Sequence, residues 1–362
     1  TRSVNGDPSD LGELTELDLV PGDRILLASD GLTDLVPDRE IERLLGLQHD
    51  DGAADALLDA ALAAGGHTTR RLAVGDSVDP LIRDLRNPAP ELVFNLAESF
   101  RGKSALESNV AALLNLLDLR YTGSSPAGLM LAGDKTLTKK VLAFHGILSA
   151  KFATMYRGQS DWVGDISFPL LVKPPQEDAS LGITQKSVVN DVKELLDVIS
   201  STQQEYQSPV LVEEFIDGRE FYVGVLGNSN AEALPIIELD FSKFPANLPK
   251  IASWEAKWGD EGDEKGAEFE GTQSVFPTDL PEELTGKIQQ VAIDAFQALR
   301  LRDYARIDLR VTAREEVYVI EANPNCYLEQ NSEFARAALK SGLEYPALIA
   351  RIIELATARY SR

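Results

Sequence analysis

The 362-residue chain is 44% hydrophobic and carries 58 acidic against 35 basic side chains. That length exceeds what one hydrophobic core supports, so two or three domains are expected, and a net charge of -23 disfavours nucleic acid and anionic membranes as partners. A single cysteine, Cys326, excludes an internal disulfide and a thiolate zinc site; with no apolar run long enough for a bilayer and no charged-then-apolar signal peptide, a cytoplasmic setting is expected.

Residues 1–21 are polar and turn-rich and read as an extension before a first strand, Arg24 to Ala28. An Ala/Leu/Asp pattern at helical spacing from Gly52 to Ala64 stops at Gly65-Gly66. Strands at Arg70 to Val74 and Leu92 to Asn95 and a helix at Ser108 to Leu117 follow. Strands alternating with helices predict a parallel, three-layer sheet domain up to about residue 120. The middle of the chain reads as a helix over Lys135 to Phe144, a strand over Phe168 to Lys173, a helix near Val192 to Ser200 and a strand over Pro209 to Phe215. The last third adds strands at Phe221 to Leu226, Ala233 to Leu239, Ala305 to Val311 and Val317 to Ala322, and helices at Pro281 to Leu299 and Glu344 to Arg359. Residues 246–275, rich in charge and glycine, read as one long irregular loop, a feature usually tied to function.

Four clusters carry chemistry. Lys173 ends an apolar strand before Pro-Pro-Gln-Glu-Asp-Ala-Ser-Leu-Gly; its ammonium and the loop N–H groups of Ser180 and Gly182 suit phosphate oxygens, although a solvated lysine before an ordinary turn reads equally well. In Val210 to Glu220 a strand ends in Glu213, Glu214 and Phe215, offering backbone hydrogen bonds and an aromatic wall to a planar base, with Glu220 toward a ribose; a strand and a solvated turn is the plainer alternative. Arg306 and Asp308 share one strand face, as do Glu321 and Asn323. Were the two strands antiparallel neighbours, three oxygen ligands and a guanidinium would converge, a set suited to Mg2+ beside a triphosphate. Last, Lys257 stands between Trp254 and Trp258, placed to close over a reacting phosphate and exclude water; two tryptophans so spaced also pack apolar patches.

Taken together, these segments resemble the D-alanine:D-alanine ligase branch of the ATP-grasp superfamily, from about residue 53 to the C-terminus. "LRYTGSSPAGLMLAGDKTLTKK" is similar to the segment joining its N-terminal and central domains, which implies that Lys135 contacts ATP phosphate. "FPLLVKPPQEDASLGI" resembles its phosphate-covering strand and loop, implying Lys173, Ser180 and Gly182 at the phosphates. "VLVEEFIDGREF" resembles its adenine hinge: Glu213 toward the adenine amino group, Glu214, Phe215 and Ile216 along the base, Glu220 on the ribose. "WEAKW" is similar to its lid, with Lys257 on the transferred phosphate. "YARIDLRV" and "VYVIEANPN" resemble its catalytic core, so that Arg306 would stabilise the acyl phosphate and tetrahedral intermediate. Asp308, Glu321 and Asn323 would hold two Mg2+ ions, with Mn2+ as a possible substitute.

The implied fold is α/β, with α+β character in the ATP-grasp part: an extension (1–21), a parallel-sheet pre-ATP-grasp domain (22–125), then central (126–215) and C-terminal (216–362) ATP-grasp subdomains. The amino-acid pockets depart from the family pattern. Ser29-Asp30-Gly31 follows the first strand where a glutamate is usual, and Glu98 follows a later strand in place of a His-Gly pair; Ser332 falls where a carboxylate-binding serine lies. The expected reaction is therefore ATP-dependent amide formation through an acyl phosphate, on amino-acid or peptide substrates of open identity, in a homodimer. Alternatives are an ATP-grasp ligase with another acceptor and a non-catalytic ATP-binding protein. The first 50 residues also resemble the C-terminal part of bacterial metal-dependent serine/threonine phosphatases, with Asp30 at a metal position. The remaining carboxylates of that metal cluster are missing, so the stretch reads as a reused strand–helix piece heading the first domain.

Overall fold

The computed structural model describes residues 23–28, 58–59, 61–63, 65–156, 159–162, 165–177, 180–206, 209–245, 247–254, 256 and 267–361. They form two compact units. The first comprises 1–129, 302–304 and 325–362, the second 130–301 and 305–324.

The first unit holds β1 (Asp23–Ala28), β2 (Thr68–Ala73) and β3 (Val93–Leu96) in the order β2-β1-β3, both pairs parallel. Parallel neighbours need a crossover, and here helices supply cover. Helix α1 (Val78–Arg86) buries Leu81 and Leu85, and α2 (Glu107–Leu116) buries Val110, Ala111 and Leu114. These side chains join Val93, Ala97 and Tyr121 in one core. The α1 segment is absent from the sequence reading although Val78, Leu81, Ile82 and Leu85 fall at helical spacing.

The second unit has two antiparallel sheets. In the first, β4 (Phe152–Tyr156), β5 (Gln159–Trp162), β6 (Leu170–Lys173), β7 (Val188–Val189) and β8 (Val210–Glu214) run in the order β5-β4-β8-β6-β7. Helix α3 (Lys135–Phe144) precedes this sheet, and α4 (Val192–Tyr206) packs on it through Leu195, beside a core of Leu170, Val172, Val210 and Val212. The second sheet orders β12 (Gln273–Val275), β11 (Ile237–Asp240), β9 (Arg219–Gly227), β13 (Asp303–Val311) and β14 (Val317–Pro324), with β10 (Glu232–Ala233) beside β9. Every residue of β9 after Arg219 is buried, as expected of a strand covered on both faces. Helix α5 (Glu282–Ala298) supplies Ile288, Ala292, Ala295 and Phe296 to the same core as Phe221, Val223, Ile307 and Leu309.

Two expected features differ. The single strand over Ala233 to Leu239 is two short ones, because Pro235 lacks the N–H a continuous ladder needs. The irregular stretch 246–275 contains β12 and a helical turn, Ala267–Glu270; both are too short for periodicity to reveal.

The chain closes with α6 (Glu333–Lys340) and α7 (Tyr345–Tyr360), and both belong to the first unit. The sequence reading assigned them to a C-terminal subdomain, 216–362; contacts group 325–362 with the N-terminal segment instead. Chain order alone does not reveal such a return.

Gly218 joins β8 to β9. A Cβ there would lie 2.2 Å from the carbonyl oxygen of Val311, backbone that cannot rotate away. Gly218→Ala is expected to cost about 1–3 kcal/mol, the usual range for overpacking, read as a lower urea midpoint at unchanged m-value.

Candidate active site

Helix α3 begins at Asp134, whose Oδ1 accepts from the N–H groups of Thr136 (2.9 Å) and Leu137 (3.0 Å), satisfying donors that a first turn leaves open. Lys135 and Lys139 then fall four residues apart on one helix face, and both are buried. Lys173 ends β6, where Pro174-Pro175 stops the ladder. In the β6–β8 register Leu171 opposes Glu213, so Lys173, two residues on, shares the face of Glu213.

These two placements converge on one carboxylate. Glu213 Oε1 lies 2.7 Å from Lys173 Nζ, and Oε2 lies 2.6 Å from Lys139 Nζ. Burial alone would push the Glu213 carboxyl up; the two ammoniums outweigh it and hold the group down at about 2. For Lys139 burial is the larger influence and pulls its pKa down, with Glu213 restoring part. The side chain expected to meet an adenine amino group is thus clamped between two lysines.

The second gathering sits on β13 and β14, which pair antiparallel with Arg306 opposite Asn323 and Asp308 opposite Glu321. Cross-strand partners share a face, so the four residues stand together as their spacing anticipated. Arg306 donates from Nε to Asp308 Oδ1 (2.7 Å) and from Nη2 to Oδ2 (3.0 Å), and its guanidinium lies over the Tyr222 ring at 4.6 Å. Glu321 Oε1 is 2.6 Å from Lys135 Nζ, which also donates to the Glu177 carbonyl oxygen at 2.6 Å. The register shifts after Asp308, since Leu309 opposes Val319. Such a bulge re-aims side chains beside active sites.

Lys135, Lys173, Glu213, Asp308 and Glu321 line one cleft, together with Ser180, Glu214, Phe215, Ile216 and Glu220. Ser180 adopts φ +63° and donates from Oγ to the Ala252 carbonyl (2.7 Å). Gly182 sits at φ +75°, where a Cβ would come within 2.9 Å of the Pro174 ring. Glu214 accepts from the Ser167 N–H (2.9 Å). Glu220 is held by Arg310, whose Nε and Nη2 donate to Oε2 at 3.0 and 2.8 Å, while the Tyr222 hydroxyl donates to Oε1 at 3.3 Å.

Ser332 and Glu98 belong to the first unit. Ser332 is the N-cap of α6, its Oγ accepting from the Ala335 N–H at 3.3 Å. Glu98 follows β3 in a half-buried position. Burial first, then the charges of Glu329 and Glu98, push the Tyr327 phenol up to about 12. Lys257 and Asp30 lie outside the described residues.

Sequence reasoning missed two residues. Lys139 is signalled by its four-residue spacing from Lys135. Arg310 continues the Arg306-Asp308 alternation; it also donates to the Ile216 carbonyl oxygen at 2.8 Å and lies 5.1 Å from the Phe215 ring centre, so it fixes the hinge between β8 and β9.

Among the described residues no group of three or more His, Cys, Asp or Glu side chains gathers in metal-binding fashion. The set fits Mg2+ nevertheless, because that ion is commonly held by one or two carboxylates and completed by phosphate and water. Asp308 and Glu321 face each other across the ladder, and the Asn323 Nδ2 donor, buried without a hydrogen-bond partner among the described residues, suits an anionic oxygen such as that of a phosphate. A polyphosphate fits equally: cationic side chains line one part of the cleft and an apolar, aromatic stretch at Phe215–Ile216 another.

Comparison with known proteins identifies the family. Residues 138–354 match the family model for the D-ala D-ala ligase C-terminus. The uncharacterized protein y4sG of Sinorhizobium fredii is 33% identical over 78% of each chain. A D-alanine–D-alanine ligase of Syntrophotalea carbinolica is 33% identical over 78% of this chain and 85% of its own. The crystal structure of the Bacillus anthracis D-alanine–D-alanine ligase complexed with ATP superposes with a TM-score of 0.67 at 21% identity, covering 93% of this chain and 98% of that one. The chain therefore belongs to the D-alanine–D-alanine ligase family and is an ATP-grasp ligase, an enzyme that forms amide bonds at the expense of ATP.

Proposed function

We propose that the cleft of the second unit binds ATP with Mg2+, and that the enzyme joins a small amino-acid or peptide carboxylate to an amine through an acyl phosphate. The observation that carries this reading is the convergence of Lys135 and Lys173 with the Asp308–Glu321 pair on one cleft.

In this reading Lys135 and Lys173 hold phosphate oxygens, Ser180 and Gly182 cover them, and Phe215 and Ile216 wall the base beside Glu213 and Glu214. Glu220, already oriented by Arg310, accepts from the ribose hydroxyls. Asp308, Glu321 and Asn323 hold one or two Mg2+ ions, which when bound neutralise charge on the transferring phosphoryl group. A substrate carboxylate oxygen attacks the γ-phosphorus and ADP leaves; the amine then attacks the acyl carbon and phosphate departs. Arg306 stabilises the oxyanion that forms at that carbon, and Lys257 covers the phosphoryl group from the Trp254–Trp258 stretch. Glu98 and Ser332 are assigned to the substrate ends, an ammonium and a carboxylate. We place this chemistry in the cytoplasm and in a homodimer.

The D-alanine–D-alanine ligase relatives make D-alanine with D-alanine the first pair to test. ADP release from ATP and Mg2+ is expected with at least one pair in a panel of D- and L-amino acids and short peptides. ATP binding without ADP release for any pair would replace the ligase reading with that of a nucleotide-binding protein.

A further inference from the structure

We infer that Lys139 is a positioning residue for the polyphosphate end of the cleft: it occupies one oxygen of Glu213 so that Lys173 is presented to a phosphate instead of being consumed by that carboxylate. The inference rests on the ATP reading above and deepens it. Lys139 is 2% exposed and Glu213 is 3% exposed, so neither charge is met by bulk water, and an unbalanced charge there would be costly. Each Glu213 oxygen takes one ammonium, Oε2 that of Lys139 and Oε1 that of Lys173. Two cations against one anion leave a surplus positive charge inside the cleft. Without Lys139 the pair left behind is neutral, and the attraction of Glu213 concentrates on Lys173 alone.

Geometry gives Lys139 this indirect role. Its ammonium lies 5.9 Å from the centre of the Phe152 ring, and Phe152 is the β4 partner of Glu213. The lysine is thus held over the same sheet face that carries Glu213 and Lys173. The arrangement uses helix spacing and strand register together: Lys135 and Lys139 leave one face of α3, the first toward Glu321 and the second toward Glu213.

The test measures ADP and adenosine binding by calorimetry with Mg2+ on the full chain. Lys139→Met, which keeps the volume and the helix propensity, is expected to weaken ADP about tenfold to a hundredfold, the worth of one charge-assisted contact. Adenosine affinity should change less than about twofold, since the charge balance acts on phosphate. In the double variant Lys139→Met/Glu213→Gln the ratio of ADP to adenosine affinity should return to within about threefold of wild type, because a neutral amide no longer competes for Lys173. A structural role, or a direct Lys139–phosphate contact, predicts that the double variant stays as weak as the single one, and that result overturns the inference. So does Lys139→Met binding ADP like wild type. Folded wild-type chain that binds neither ADP nor ATP would bring down the ATP reading and this inference with it.

Discussion

Asp308→Asn and Glu321→Gln are each expected to reduce ligase turnover about a hundredfold or more, since losing only an outer partner of a metal site already costs about tenfold to a hundredfold. Each change keeps the side chain's shape and takes away one negative charge from a pair that stands face to face across β13 and β14. In the proposed site Mg2+ would keep one carboxylate beside neutral amides, and this weaker ligand set would hold the ion less tightly. Turnover should therefore respond to added Mg2+: raising the ion's concentration is expected to recover part of the Glu321→Gln activity. The fold should survive, because Arg306 retains the Tyr222 ring and Lys135 retains the Glu177 carbonyl oxygen. Circular dichroism and the thermal midpoint provide that control. Wild-type turnover in both variants would remove Asp308 and Glu321 from the metal site.

Why these residues were legible, and others not, follows from the range over which sequence acts. The alternation Arg306-Ile307-Asp308 and Glu321-Ala322-Asn323 fixes faces locally, and a short connection between the strands makes antiparallel pairing the natural outcome, so the juxtaposition could be anticipated. The strand ends and connections around Lys173 and Phe215 were likewise marked by their punctuation, Pro174-Pro175 after β6 and Asp217-Gly218 before β9. What the sequence did not disclose was the use of each charge. Nothing local shows that Glu213 is shared by lysines 40 and 74 residues away along the chain, since that depends on how α3 is laid over the sheet. Arg310 was hidden for the same reason: its partners, Glu220 and the Ile216 carbonyl oxygen, lie about 90 residues earlier. The return of α6 and α7 to the first unit is a further product of tertiary packing.

Arg359→Met is expected to destabilise the first unit by about 3–5 kcal/mol, the usual result of removing one partner of a buried ion pair. Asp303 has no exposed side-chain surface and accepts from Arg359 Nε at 2.9 Å and Nη2 at 2.7 Å. The same arginine donates to the Tyr121 carbonyl oxygen at 2.9 Å, while Asp303 Oδ2 accepts from the Gly123 N–H at 2.8 Å. Arg359 therefore ties α7 to the 121–123 segment and to the start of β13, and methionine would take the guanidinium away from the buried Asp303 carboxylate. Asp303 also sits at φ +63°, a conformation that asparagine tolerates well. The double variant Asp303→Asn/Arg359→Met keeps that backbone geometry and an acceptor for Gly123 while removing both charges. It is expected to recover about half or more of the loss, since a buried pair costs most when only one member is left. Urea unfolding followed by far-UV circular dichroism measures both variants. A single variant within about 1 kcal/mol of wild type, or a double variant weaker than the single, would show that α7 is held by its apolar face and not by this ion pair.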